Sequence, residues 1–195
     1  MGEIYRYMSM PKLQETEARI AETVRECISE LAVATHCGDV LQCNVCYTEI
    51  EITRVGDKID LGFAVTDSHD LGICLRGCDR AVIFAATIGG AIDRLTARYT
   101  RLSPVKALAL SAIGSERVEA LCDEFCRELK ANYAAYGCDI RPRYSPGYGD
   151  LPLEFQREVF RLLEPSRRIG VYLGETLLMT PAKSVTAIVG VKRQG

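Results

Sequence analysis

Thr48-Glu49-Ile50-Glu51-Ile52-Thr53 and Ile59-Asp60-Leu61-Gly62-Phe63-Ala64-Val65 alternate apolar with polar or small residues, and Gly56-Asp57 lies between them. A period of two with one polar face is the signature of a strand whose other face is buried. A glycine beside an aspartate suits a tight reversal, so the pair predicts an antiparallel hairpin with a wet side. Upstream, Ile20, Val24, Cys27, Ile28 and Leu31 recur at three and four, which predicts an amphipathic helix from Leu13 to Ala34 ending near Gly38. Downstream, Ser68 is placed to cap a short helix reaching roughly to Gly77. The run Arg80-Ala81-Val82-Ile83-Phe84-Ala85-Ala86 is apolar enough for a strand buried on both faces.

A helix is expected after Gly89-Gly90, and the longest periodic stretch runs from Pro104 to about Tyr133. Ser103 serves as its cap, and Pro104 falls in the first turn, where a missing N–H is harmless. Gly137 to Leu151 reads as loop throughout, because its glycines, prolines and polar residues interrupt any period. A helix from Pro152 to Glu164 turns Phe155, Val159, Leu162 and Leu163 to one side, and strands are expected at Val171–Leu173 and Ser184–Val191. Helices clustered between separated strands do not make the regular alternation of a doubly wound sheet. The fold class is therefore α+β, a single domain over residues 1–195 with a twisted, mainly antiparallel sheet and packed helices.

The bulk properties agree with one core. The chain has 195 residues, 48% of them hydrophobic, and 24 basic against 26 acidic residues, so its charge gives no reason to expect a nucleic-acid partner. The N-terminal MGEIYRYMSM is mixed in polarity and no apolar run approaches the roughly 20 residues of a membrane span, so no membrane partner and a cytoplasmic location are expected. Nine cysteines, an odd number, argue against a disulfide framework in a reducing compartment. Cys37, Cys43 and Cys46 beside His36 could supply soft ligands, but adjacent His36-Cys37 and the lack of a second CxxC fit zinc poorly, and no metal is expected. Cys74/Cys78 and Cys122/Cys126 have the spacing of one helix face, where packing explains them at least as well as redox chemistry.

Familiar enzyme signatures are missing: there is no P-loop, HExxH or GxSxG, and Thr87-Ile88-Gly89-Gly90 is too short a cue for a phosphate site. His36 and His69 are the two histidines, and both read as ordinary loop or capping residues, so no catalytic residue is assigned. The informative segment is Arg143-Tyr144-Ser145-Pro146-Gly147-Tyr148-Gly149-Asp150. Arg143 offers a planar fork of donors for a carboxylate, Pro146-Gly147 permits a tight bend against a ligand, and Tyr148 offers a ring for an adenine or a sulfonium. The same composition also suits a structural turn with a solvated arginine.

Arg143-Tyr144-Ser145-Pro146-Gly147-Tyr148 resembles the RxxPGY motif of the activation domain of cobalamin-dependent methionine synthase. Gly170-Val171-Tyr172-Leu173-Gly174-Glu175-Thr176, then Met179-Thr180-Pro181 and Lys183-Ser184-Val185, resembles that family's second signature. Phe84-Ala85-Ala86-Thr87-Ile88-Gly89 and the helix from Ile113 to Glu128 extend the similarity to compact, stand-alone members.

The resemblance implies an α+β domain that binds S-adenosylmethionine as cosubstrate through Arg143, Tyr144, Ser145, Gly147 and Tyr148. Glu119, with Glu116 as fallback, would take the ligand's amino group, and Glu175, Thr176, Lys183 and Ser184 form a possible second cluster. It further implies a partner that carries cobalamin, a methionine synthase or another corrinoid protein, and a flavodoxin- or ferredoxin-like electron donor. The expected role is reductive remethylation of cob(II)alamin on that partner. The alternatives are activation of another corrinoid methyltransferase, a non-catalytic corrinoid-protein binding module, or a thiol-rich metal or redox protein. Two departures stand out: nothing before Tyr47 resembles the family's N-terminal aspartate, and the sequence ends at Gly195 before the strand whose tyrosine covers the ligand in longer members.

Overall fold

The computed structural model describes residues 14–36 and 42–194. Its elements are α1 (Gln14–His36), β1 (Asn44–Glu51), β2 (Thr53–Val55), β3 (Lys58–Asp60), β4 (Val65–Thr66), α2 (His69–Cys74), β5 (Arg80–Thr87), α3 (Ala91–Leu102) and α4 (Pro104–Ala134). There follow β6 (Cys138–Ile140), a 3₁₀ turn (Leu153–Phe155), α5 (Gln156–Leu163), α6 (Pro165–Arg168), β7 (Tyr172–Leu173), β8 (Met179–Thr180) and β9 (Ser184–Arg193). Helices and antiparallel strands are packed as one α+β domain. The main sheet has the order β1-β5-β9-β6, and every pairing in it is antiparallel.

Strand β5 lies inside this sheet because it is apolar on both faces. Val82, Phe84 and Ala86, with Ala187, Val189 and Val191 of β9, meet Cys122, Phe125 and Leu129 of α4. The opposite face, Ala81, Ile83, Ala85 and Ile188, is covered by Phe155, Val159 and Leu163 and by Leu71 and Leu75 around α2. A third cluster joins Val24, Cys27 and Leu31 of α1 to Ile92 of α3 and to Leu110 and Ile113 of α4. The caps follow the sequence: the Ser103 side chain accepts from the Lys106 N–H, and that of Ser68 from the Leu71 N–H at 3.1 Å.

Four expectations are corrected. β1 is not the hairpin partner of the next strand: it pairs along its length with β5, from Asn44 opposite Thr87 to Glu51 opposite Arg80. A strand with no polar face needs neighbours on both edges, and β1 supplies one of them. The Gly56-Asp57 reversal is real but joins the short β2 and β3. Ile59 to Val65 is not continuous either. The Asp60 carboxylate accepts from the Gly62 N–H at 2.8 Å and Gly62 takes φ +77°, so the chain turns between β3 and β4. Finally, the segment after Gly137 holds β6, which pairs with the end of β9 from Cys138 opposite Arg193 to Ile140 opposite Val191. Cys74 ends α2 and Cys78 follows Gly77 at φ +75°, so these two thiols do not share a helix face.

Candidate functional site

Beyond β6 the chain keeps following β9. Arg141 N–H donates to Gly190 C=O at 2.8 Å, and Tyr144 and Ile188 exchange N–H···O bonds of 2.9 and 2.8 Å. Antiparallel alternation puts Pro146 opposite Thr186 next, and proline has no N–H to give. Pairing stops there, and the free edge of β9 opens into a cleft of about 450 Å³. Its walls include Glu119, Arg143, Tyr144, Ser145, Tyr148 and Gln156, with Ser184 and Thr186 along the strand. A volume of this order accommodates a small organic ligand.

Arg143 is held by two carboxylates one helical turn apart on α4. It donates to Glu119, and its Nη1 lies 2.5 Å from Asp123 Oδ1. Its side chain is 25% exposed and Glu119 40% exposed, so both charges remain within reach of a ligand. Burial opposes the arginine's charge, but the Asp123 hydrogen bond and the Glu119 charge outweigh it and hold the pKa above its ordinary value. Arg143 stays cationic at any physiological pH. The neighbouring thiols are also shifted upward, which for them favours the neutral form: burial pushes Cys122 up to about 12 and raises Cys126, although Arg143 opposes both shifts. Neither is an activated nucleophile.

The loop after Arg143 is locked by short-range chemistry. Gly147 and Gly149 take φ of +89° and +53°, and a Cβ on Gly149 would collide with the Asp70 carboxylate and the Tyr144 hydroxyl. The Tyr144 hydroxyl donates to the Tyr148 carbonyl at 2.8 Å. Asp150 then crosses to α2. It accepts from the Ser68 hydroxyl and from the His69 and Asp70 N–H groups, at 2.7 Å for His69. The Ser68 hydrogen bond leads the causes that hold the Asp150 carboxyl below its usual range.

With this loop at a cleft on the sheet edge, the match of residues 75–194 to the vitamin B12 dependent methionine synthase activation domain decides the family. The chain belongs to that activation-domain family. A crystal structure of the MetH reactivation domain bound to AdoHcy is similar with a TM-score of 0.66 and 16% sequence identity, covering 95% of this chain and 68% of that one. At that identity the likeness speaks for the fold. No curated protein matches the chain.

Within this activation-domain frame the expected residues separate into two groups. Glu119, Arg143, Tyr144, Ser145, Tyr148 and Ser184 line one cleft, with Gly147 in the turn beneath it. Glu175 and Thr176 are exposed in the turn between β7 and β8 and are not among the lining residues. Lys183 points away to α4, where its Nζ donates to Ser111 and Ser115 at 3.1 and 3.0 Å, and burial lowers its pKa. Glu116 lies beside Arg117 at 3.4 Å and is also outside the lining.

Ser184 is committed to structure as well: its hydroxyl donates to Pro181 C=O at 2.7 Å and lies 2.9 Å from the Thr87 hydroxyl, from which it can accept. Gln156 was not anticipated. It is 6% exposed, lines the cleft, and its Oε1 has no hydrogen-bond partner among the described residues. An unpaired buried acceptor costs about 1–3 kcal/mol. The signal in sequence was a polar residue in register with the buried Val159 and Leu163 of the same helix.

Of the proposed thiol ligand set, Cys37 and the side chain of His36 lie outside the described residues. Among those residues no group of three or more His, Cys, Asp or Glu could hold a metal ion, and no helix is long and apolar enough to cross a membrane. The site therefore offers a cation, an anion, neutral hydrogen-bonding groups and an aromatic rim. That set can hold a zwitterion and orient it.

Proposed function

We propose that the cleft binds S-adenosylmethionine and that the domain presents the ligand's methyl group to cobalamin carried by a methionine synthase, supporting reductive remethylation of cob(II)alamin. A low-potential flavodoxin- or ferredoxin-like protein supplies the electron. The observation that carries this reading is the juxtaposition of Arg143 and Glu119 in a cleft beside the RxxPGY loop. An amino acid presents a carboxylate and an ammonium, and these two side chains present the opposite charges. On binding, the arginine–glutamate contact is exchanged for arginine–carboxylate and glutamate–ammonium contacts, so no charge is left unpaired.

The corrinoid supplies the nucleophile, and this chain's residues bind and orient the methyl donor. Arg143 fixes the carboxylate, Glu119 the ammonium, and Tyr148 lies at the rim to cover the nucleoside. Holding donor and acceptor in line converts an encounter of two solutes into a single oriented step. Calorimetry should show Arg143→Ala weakening S-adenosylmethionine about tenfold or more, as expected for loss of a charge-assisted bond of about 1.5–3 kcal/mol. The functional arm mixes the protein with a methionine synthase lacking its own activation domain, a low-potential reductant and S-adenosylmethionine. The cob(II)alamin spectrum should convert to that of methylcobalamin, and Arg143→Ala should fail at limiting ligand. An unchanged affinity in the variant sinks the site, while binding without conversion sinks the remethylation role.

A further inference from the structure

We infer that the Gln156 carboxamide recognises the edge of the adenine ring, making it the base-specificity residue of the cleft. The inference rests on the reading of the cleft as an S-adenosylmethionine site. Gln156 opens α5 in register with Val159 and Leu163, both in the core, so packing alone calls for an apolar residue here. Instead a carboxamide is 6% exposed, faces the cleft, and leaves Oε1 unpartnered among the described residues. Native structures rarely leave such a group unsatisfied unless something else supplies the partner.

Position identifies that partner. Glu119 and Arg143 approach the cleft from the sheet face covered by α4, whereas Gln156 approaches from the face covered by α5. The cleft thus runs across the open edge of β9 from a charged end to a neutral one. A ligand with a zwitterionic amino acid at one end and an uncharged heteroaromatic base at the other has the same polarity. A carboxamide presents a donor and an acceptor side by side, and the N6 amine and N7 of adenine present the complementary pair. A ribose hydroxyl would satisfy one of the two groups and leave the other unpaired.

The test compares S-adenosylhomocysteine with S-inosylhomocysteine, in which a carbonyl oxygen replaces the N6 amine. Wild type should bind the adenosyl ligand about tenfold or more tightly than the inosyl ligand, the discrimination expected of one bidentate base contact. Gln156→Leu should weaken the adenosyl ligand by about that factor and the inosyl ligand, which keeps N7 but sets a carbonyl oxygen against Oε1, by much less, so that the preference collapses. Its unliganded thermal midpoint should hold or rise, because the unpaired acceptor is gone, and Gln156→Met should behave alike. Arg143→Ala should weaken both ligands equally. If Gln156→Leu keeps the adenosyl preference, weakens both ligands alike, or joins Gln156→Met in lowering the midpoint, Gln156 is structural and the inference falls. Loss of binding in Arg143→Ala together with a neutral Gln156→Leu leaves the parent reading standing and removes only this one. Failure of wild type to bind either ligand removes both.

Discussion

Arg143 has two anionic partners and a ligand carboxylate can replace only one of them without cost. In the proposed complex Glu119 gains the ligand ammonium in exchange, but Asp123 does not line the cleft and gains nothing. Asp123 therefore competes with the ligand for the guanidinium. Its side chain is 66% exposed, and ion pairs of that exposure contribute roughly 0–1 kcal/mol. Asp123→Asn should accordingly tighten S-adenosylhomocysteine, a ligand with the same carboxylate and ammonium but no net charge, by about two- to fivefold at low salt, with the gain fading as salt rises. Titration calorimetry at two ionic strengths checks this, and weaker binding in the variant would show Asp123 to be a support for Arg143 instead. Arg143 and Tyr148 were expected together from one local motif and Glu119 from the family resemblance, and the three line one cleft. The placement of Asp123, Asp150 and Gln156 was not legible, because each meets a segment distant in sequence: Asp123 meets Arg143, Asp150 meets Ser68, and Gln156 meets the cleft.

Among the elements, α4 contains an apparent defect. Gly114 lies in the middle of a 31-residue helix, where alanine would be favoured by about 1 kcal/mol on propensity. Yet a Cβ there would stand 2.9 Å from Ile92 Cγ2 and 2.9 Å from Lys183 Cγ. Overpacking of this kind costs roughly 1–3 kcal/mol, so Gly114→Ala should be destabilising on balance, by about 1 kcal/mol. Urea unfolding should show a lower midpoint at unchanged slope, and a stabilised variant would mean that the Lys183 stem yields freely. Elements with strong local signals were legible: β5 by its unbroken apolar run, α4 by Ser103-Pro104 and its period, α2 by Ser68. Pairing was not. The alternation in β1 fixes which face is buried but not which strand lies alongside, and β6, three residues between Gly137 and Pro142, is too short to display a period.

Across the whole molecule, Asp150 ties the Arg143–Tyr148 loop to the layer containing α2 and the small β2-β3-β4 sheet. Its carboxyl binds a proton less readily in the fold than in the unfolded chain, since its pKa is lowered from 3.8 by Ser68 and the α2 amides. The stabilisation is thus fully present above the ordinary carboxyl range and is lost as pH falls through the depressed value. The stability difference between wild type and Asp150→Asn should be constant near neutrality and shrink below about pH 4, as followed by denaturant unfolding at stepped pH. A difference that persists undiminished in acid would assign the role of Asp150 to its shape. The arginine with its two acids has a consequence for turnover. Glu119, Asp123 and Arg143 together carry one excess negative charge. S-adenosylmethionine, with its sulfonium, carries one excess positive charge, and the thioether left after methyl loss carries none. In the proposed reaction the attraction that draws the donor in is therefore cancelled by the transfer itself, and the spent molecule should be the more weakly held of the two.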